Sequence, residues 1–302
     1  MKRALSLAVL FVAAACAGAQ SGTSRSVTLK VLTLNIRNDA GDRLPGIVDL
    51  IKRSGADVVG LQEVDASGPE IAKRLGFRYA RFDSDTAVVS RYEIAPGPGP
   101  SAVKVLPPGG AAVTFVDVHL FHKPYQPYQL LGIPYEDGRF IHTEAEAIAE
   151  ARAARIDQVE STVAALAKDD GPIVLVGDFN EPSYLDWTER TASAKRHPIP
   201  VAWPATKTFA DAGFSDSFRT LFPDEMAKPG FTWTPGLDPA DPKDHADRID
   251  FVLFRGTRIK PESAWVVGED SRYADLVIAP YPTDHRGVLV LFDVGADRFI
   301  GS

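Results

Sequence analysis

The stretch PIVLVGDFN (172–180) decides the fold. Its apolar run, Ile173 to Val176, is the length of one buried strand, and it breaks off into a glycine, a carboxylate, an aromatic ring and a carboxamide. A buried strand that ends in Asp178 and Asn180 delivers polar groups to a rim. Five other fragments follow the same plan: TLNIRN (33–38), LQEV (61–64), DVHL (117–120), RIDFVLF (248–254) and TDHRG (283–287). Together they supply Asn35, Glu63, His119, Asp178, Asn180, Asp250, Asp284 and His285. Carboxylates, carboxamides and two imidazoles form the set that holds a hard divalent cation and moves protons around a phosphate.

Between these fragments, strand and helix signals mix. VTLKVLTLN alternates as a strand ending at Asn35, and DVVGLQEV, DTAVVS, AAVTFVDVHL, DFVLF, SAWVV and GVLVLFDV read as further strands. Helices are expected at 44–53, closed by Gly55, at 70–75, and at 141–167, where Ile148, Ile156, Val159, Val163 and Leu166 share a face. Residues 181–248 are turn-rich. This order, with the last third mostly strand, fits a sheet-on-sheet core covered by helices better than a simple parallel sheet. The polar fragments are expected at the carboxyl ends of strands or just beyond, gathered at one rim.

Bulk properties narrow the class. With 45% hydrophobic and 24% charged residues, 23 prolines and 24 glycines, the chain is a soluble globular protein with many turns. Its formal charge of -7, with no run of Lys and Arg, counts against an extended polyanion as substrate. Lys2 and Arg3, the apolar stretch Ala4–Ala15 and the small residues before Gln20 make residues 1–20 a secretory signal, too short for a permanent membrane anchor. Two exits compete: cleavage after Ala19, or lipidation of Cys16, the sole cysteine, at a sequence resembling a bacterial lipobox. Either way the mature fold has no thiol chemistry and no disulfide. Residues 21–26 read as a linker and 27–302 as one domain. No heptad or other association signal is present, so a monomer is expected.

Taken in order and spacing, the six fragments resemble the endonuclease/exonuclease/phosphatase superfamily, the pancreatic-deoxyribonuclease-like fold. The resemblance covers residues 27–293 and implies an α/β fold: a four-layer α/β/β/α sandwich of two packed mixed sheets flanked by helices. It implies Glu63 as principal metal ligand, with the Asn35 carboxamide oxygen turned to the metal or its water and Asp284 as a further carboxylate. Oxygen-only ligands favour Mg2+, with Mn2+ or Ca2+ as substitutes. It further implies that His285, oriented by Asp250, contacts the phosphate, that Asp178 positions or deprotonates the attacking water, that Asn180 donates to a phosphate oxygen and that His119 stabilises the transferred group or leaving oxygen. The remaining histidines, His122, His142, His197 and His245, read as surface or loop residues.

The resemblance leaves the phosphoester open. The histidine of DVHL counts against the abasic-site branch, and export counts against deadenylases and intracellular signalling phosphatases. What remains is an exported phosphodiesterase acting on small or lipid-derived phosphodiesters, with a non-specific extracellular nuclease or a sphingomyelinase-like phospholipase as alternatives, and a phosphoester-binding protein without turnover as the non-enzymatic one. Export would place the chain in the periplasm, in the medium or lipid-anchored to a bacterial envelope membrane. Membrane contact is expected only through that anchor or through loop 122–139, whose Tyr125, Tyr128 and Tyr135 either grip a sugar, base or acyl-glycerol group or pack on the protein itself.

Overall fold

Each strand of the core follows from a short apolar run, and the helices follow from stripes that cover the outer faces of the sheets. The computed structural model describes residues 26–99, 101–136, 138–233 and 244–296; the expected signal segment 1–20 lies outside them. The strands are β1 (Val27–Asn35), β2 (Val58–Gln62), β3 (Arg78–Arg81), β4 (Thr86–Ser90), β5 (Glu93–Pro96), β6 (Ala102–Leu106), β7 (Val113–His119), β8 (Ile173–Asp178), β9 (Ser215–Asp216), β10 (Asp250–Arg255), β11 (Ile259–Gly268), β12 (Leu276–Val277) and β13 (Gly287–Val294). They form a seven-stranded sheet in the order β12-β11-β13-β1-β2-β4-β3 and a six-stranded sheet in the order β5-β6-β7-β8-β10-β9. Both are mixed, because β1/β2 and β7/β8 run parallel while β1/β13 and β8/β10 run antiparallel.

Leu29, Val31, Val58, Val88, Phe115, Val174, Val176, Val290 and Phe292 fill the space between the sheets. On the outer face of the larger sheet lie α1 (Leu44–Ser54) and α2 (Gly68–Leu75), through Ile47, Leu50, Ile51 and Ile71. Each ends on a glycine of positive φ, Gly55 at 67° and Gly76 at 70°, a conformation that costs other residues more. Between β7 and β8 come the short α3 (Gln126–Leu131) and the long α4 (Glu144–Leu166), started by a capping box between Thr143 and Glu146. After β8 follow α5 (Glu189–Ser193), α6 (Pro204–Asp211) and α7 (Ser217–Leu221), and α4 and α6 cover the smaller sheet through Val159, Leu166 and Phe209. The result is the expected four-layer sandwich. Among the described residues no helix is long and apolar enough to cross a membrane.

The line of α4 that is fully buried differs from the expected stripe. Ala147, Ala151, Arg155 and Val159 face inward, while Ile148, Ile156 and Val163 are half-buried. Small side chains let the helix approach, and Arg155 finds buried partners in the Gln126 amide oxygen at 2.6 Å and the Pro124 carbonyl at 2.9 Å. This arginine ties the 122–139 segment to α4. Tyr125 and Tyr128 follow the second of the two readings: they are 3% and 7% exposed, with their hydroxyls given to Asp247 and Asp244. The segment packs on its own protein because both phenols find carboxylate acceptors there.

A buried polar line registers the two sheets one step below the rim. Thr33 donates to the Gln62 oxygen at 3.4 Å, and the Gln62 amide donates across the sheets to Asp117 Oδ1 at 2.6 Å. Gly60 makes room for it, since a Cβ there would stand 2.3 Å from Val176 and 3.0 Å from the Asp117 carboxyl carbon. The other Asp117 oxygen is buried without a partner among the described residues. Burial pushes the Asp117 carboxyl well above the usual carboxylate range, and the Gln62 donor offsets only part of this. With its folded pKa above its unfolded one, this group favours folding most below about pH 4, and that contribution is lost as pH rises through the folded value. Asp117→Asn keeps an acceptor for Gln62 and cannot ionise. The variant is expected to gain roughly 1–3 kcal/mol at pH 8 and to lose the alkaline decline in stability, as read from urea unfolding at pH 5 and pH 8.

Candidate active site

Mixed sheets bring the starts of antiparallel strands to the same rim as the ends of parallel ones. Asn35, His119 and Asp178 close β1, β7 and β8, and Glu63 follows β2 directly. Asp250, however, is the first residue of β10, paired with Asp178 across the ladder, and Asp284 and His285 precede β13. The expectation that every polar fragment ends a strand is thus corrected for these two. One rim still collects them all. Gly177 is needed beside Asp178, because a Cβ there would fall 1.9 Å from the Val118 carbonyl oxygen of the neighbouring strand.

Asp178 sits at the centre and is fully buried. Its Oδ2 accepts from Asn35 Nδ2 at 3.0 Å and lies 3.6 Å from His119 Nε2 and 3.7 Å from His285 Nε2. Its Oδ1 accepts from the Asn180 backbone N–H at 2.8 Å. Each imidazole is backed by a second carboxylate: His285 Nδ1 stands 3.0 Å from Asp250 Oδ2, and His119 Nδ1 pairs with Asp85 Oδ2. Thr232 steadies the first pair by accepting from the N–H groups of Ile249 and Asp250 at 3.0 and 3.2 Å.

The carboxylates decide the charge of both rings. Burial opposes a proton on His119, but its bond to Asp85 and the fields of Asp178 and Glu63 raise it to about 9. Burial likewise opposes His285, and Asp250, Asp178 and Asp284 together raise it to about 10. Burial pushes Asp250 up while His285 pulls it down, so this pair holds one proton between them. At neutral pH both rings are therefore donors. Asp178 is left as the acceptor between them.

One carboxamide expectation is corrected. Asn35 turns its nitrogen, not its oxygen, to the acidic groups: Nδ2 reaches Glu63 Oε1 at 3.1 Å as well as Asp178, while Oδ1 accepts from the Arg37 N–H at 2.9 Å. Two carboxylates can only accept and a backbone N–H can only donate, which fixes this orientation. Asn180, at φ 47°, spends one amide hydrogen on the Leu120 carbonyl at 3.0 Å, leaving one for an incoming oxygen. Two of the other histidines lie in loops, as read, but turn inward. His197 is 5% exposed and stacks on Trp187 with ring centroids 4.2 Å apart, and His245 is held 3.4 Å from Asp247; aromatic and carboxylate partners buried in the turn-rich segment draw both inward. His122 and His142 are exposed, as expected.

For a divalent cation the donor set fits best around Glu63. Its Oε1 takes the Asn35 amide and its Oε2 the Asn38 N–H at 2.6 Å, both neutral donors, so among the described residues no Lys or Arg is ion-paired with it. Hard carboxylate oxygens are what such an ion takes. A second group, Asp178, Asp250 and His285, keeps its ligand atoms within 4.8 Å of one another, but the proton on His285 competes with a metal there. Asp284 pairs with Arg37 Nε at 3.2 Å.

The model of the Endonuclease/Exonuclease/phosphatase family matches residues 32–285. The chain belongs to that family. With it, the chain is a metal-dependent phosphoric ester hydrolase. An uncharacterised Caenorhabditis elegans protein, F14F9.5, is 28% identical over 294 residues, covering 88% of this chain and 91% of that one. Among solved structures, the fold is similar to an AP endonuclease from Archaeoglobus fulgidus (TM-score 0.57, 18% identity, 88% of this chain and 100% of that one). It is also similar to the Neisseria meningitidis 3'-5' exonuclease NExo (TM-score 0.55, 19% identity, 87% and 98%).

Asp85 was not among the residues expected at the site. Its only sequence signal is a carboxylate placed directly before the strand run TAVVS, beside the strand that ends in LQEV. The charge on His119 depends on it. Asp85→Asn is expected to move the alkaline limb of the kcat/KM profile from about 9 towards the ordinary histidine value near 6.5. A limb that stays in place would remove His119 as the titrating donor.

Proposed function

We propose that this chain is an exported, Mg2+-dependent phosphodiesterase that hydrolyses small or lipid-derived phosphodiesters by in-line attack of water. The observation that carries the reading is Asp178 set between two imidazoles, each held protonated by its own carboxylate. Asp178 takes the proton of the attacking water, and one imidazole gives its proton to the leaving alkoxide. The other imidazole and the free Asn180 amide hydrogen meet the charge that grows on the nonbridging oxygens. Glu63 would hold the divalent cation, which would supply charge neutralisation to the phosphate. No serine or cysteine nucleophile accompanies the set, so no covalent intermediate is part of this reading.

Diesters are favoured over monoesters by charge. A phosphodiester brings one negative charge to a mouth lined by Glu63, Asp85, Asp178, Asp250 and Asp284, whereas a monoester brings nearly two at neutral pH. The acidic chain likewise supports a compact substrate over an extended nucleic acid. Phe121, two residues beyond His119, and Phe140 are both 47% exposed and offer apolar surface to a lipid-derived group. The charged and then apolar start of residues 1–20 supports export.

The test is hydrolysis of a chromogenic phosphodiester, the matching monoester and single-stranded DNA with Mg2+, with Mn2+ and with chelator. Expected is chelator-sensitive turnover, faster on the diester, and reduced about 100-fold or more in Asp178→Ala and in His285→Ala with the melting temperature kept. Turnover confined to the monoester would make this a phosphatase. Turnover of single-stranded DNA alone would move the substrate to nucleic acid, and silence on all three would favour a binding protein.

A further inference from the structure

Of the three tyrosines in the 122–139 segment, two have partners for their hydroxyls and one does not. Tyr125 and Tyr128 donate to Asp247 and Asp244, whereas the Tyr135 hydroxyl makes no hydrogen bond among the described residues. The Tyr135 ring is half-buried and meets Tyr128 edge-on. A phenol has an apolar body and a polar tip, and a packed body with an unbound tip presents a donor at a fixed place.

Two tethers set that place at the mouth of the site. On one side Glu136 pairs with Lys123 at 3.5 Å, and Lys123 follows closely on the strand end that carries His119. On the other side the rings of Tyr135 and Tyr128 have centroids 5.6 Å apart, Tyr128 lies 5.6 Å from Trp233, and Trp233 stands 6.3 Å from His285. Tyr135 therefore closes a row of rings that starts beside one imidazole, and it is tied to the strand that ends in the other. Burial raises its phenol above the ordinary value, and the negative fields of Glu136, Glu63 and Asp178 raise it further, so the hydroxyl is within reach of the acidic centre and stays a donor. The row is held from behind. Arg155 bonds Gln126 and the Pro124 carbonyl, and the Gln129 amide donates to the Arg139 carbonyl at 2.7 Å.

We propose that Tyr135 is a specificity residue that receives one substituent of the phosphodiester: its ring packs on a ring-bearing alcohol, and its hydroxyl donates to an acceptor oxygen of that group. The inference rests on the phosphodiesterase reading given above and deepens it by naming what the ester carries. A diester bears a substituent on each of two oxygens, and one turned towards the row meets its two half-buried rings, Trp233 and Tyr135. A ring gains stacking on such a rigid face, whereas a flexible chain loses more freedom there and matches it less well. The surroundings set the polarity of the contact. Carboxylates crowd the rim, so a neutral substituent that brings an acceptor oxygen fits the free hydroxyl, and one that brings a second negative charge does not. A nucleoside or a sugar meets both conditions.

Competition among the propyl, benzyl and thymidine 5'-methyl phosphodiesters, followed by phosphorus NMR on the full protein with Mg2+, reads the ratios of kcat/KM directly. Each ester carries a methyl group and one variable alcohol, so a ring enters only once. Wild type is expected to favour benzyl over propyl about 10-fold, from stacking, and thymidine over benzyl about 3-fold more, from the hydroxyl. Tyr135→Ala should lose both preferences, and Tyr135→Phe should keep the first and lose the second, each with the wild-type melting temperature. Absence of any preference in wild type, ratios unchanged in Tyr135→Ala, or a thymidine preference kept in Tyr135→Phe would overturn the inference and leave the phosphodiesterase reading standing. No turnover of any of the three by wild type would sink that reading and this inference with it.

Discussion

One hydrogen bond ties the centre of the site to the opposite sheet: the Asn35 amide, at the last residue of β1, reaches Asp178, at the last residue of β8, over 3.0 Å and away from water. A bond to a charged acceptor contributes about 1.5–3 kcal/mol, more than its neutral counterpart. Its position matters more than its size. The same amide nitrogen also holds Glu63, so one donor sets two carboxylates side by side, and the same Asp178 oxygen faces both imidazoles. Asp178 cannot shift without breaking a contact to the opposite sheet, which keeps it in register with Glu63.

That bond has support from below and cost from the side. The Thr33–Gln62–Asp117 line spans the sheets just beneath the rim and includes a carboxyl for which burial outweighs its one amide donor. Beside the rim, Glu63 and Asn180 as well as residues 37–40 hold positive φ without being glycine. A chain selected for stability alone would relax both features, one by an uncharged residue and the other by glycine. The turn at 37–40 instead holds the Asn38 N–H on Glu63 and the buried line ties the two sheets beneath it, while the three apolar layers between and outside the sheets supply the stability.

Much of this was legible in the sequence because burial and chemistry left separate marks. Apolar runs such as VVGL and IVLV mark strands buried on both faces, and the abrupt polar residue after each marks the rim. The short edge strands RYAR and EIAP carry no such mark, being half-exposed, and went unread with β6, whose AVKVL is interrupted by a lysine. At the site, residue types were readable and orientations were not. Nothing in TLNIRN tells which end of the Asn35 amide faces the acids, since that is settled by the Arg37 N–H, whose direction depends on a turn of improbable φ. Asp85 and Arg37 were missed for a related reason: each acts through a partner far away in sequence, and only the fold brings that partner within reach.

The depth of the site explains why its imidazoles come paired with carboxylates. An isolated buried histidine loses its proton, because desolvation penalises the charged ring, and a neutral ring would leave the protein without a donor for a departing alkoxide at neutral pH. Asp85 and Asp250 reverse that outcome, but each adds a negative charge to a rim that already holds Glu63, Asp178 and Asp284. Carboxylates so close together repel one another and an incoming phosphate alike. The relief available within the chain is the two protonated rings and Arg37; the rest has to come from a bound cation, which makes metal dependence a consequence of how many acids this fold gathers at one rim.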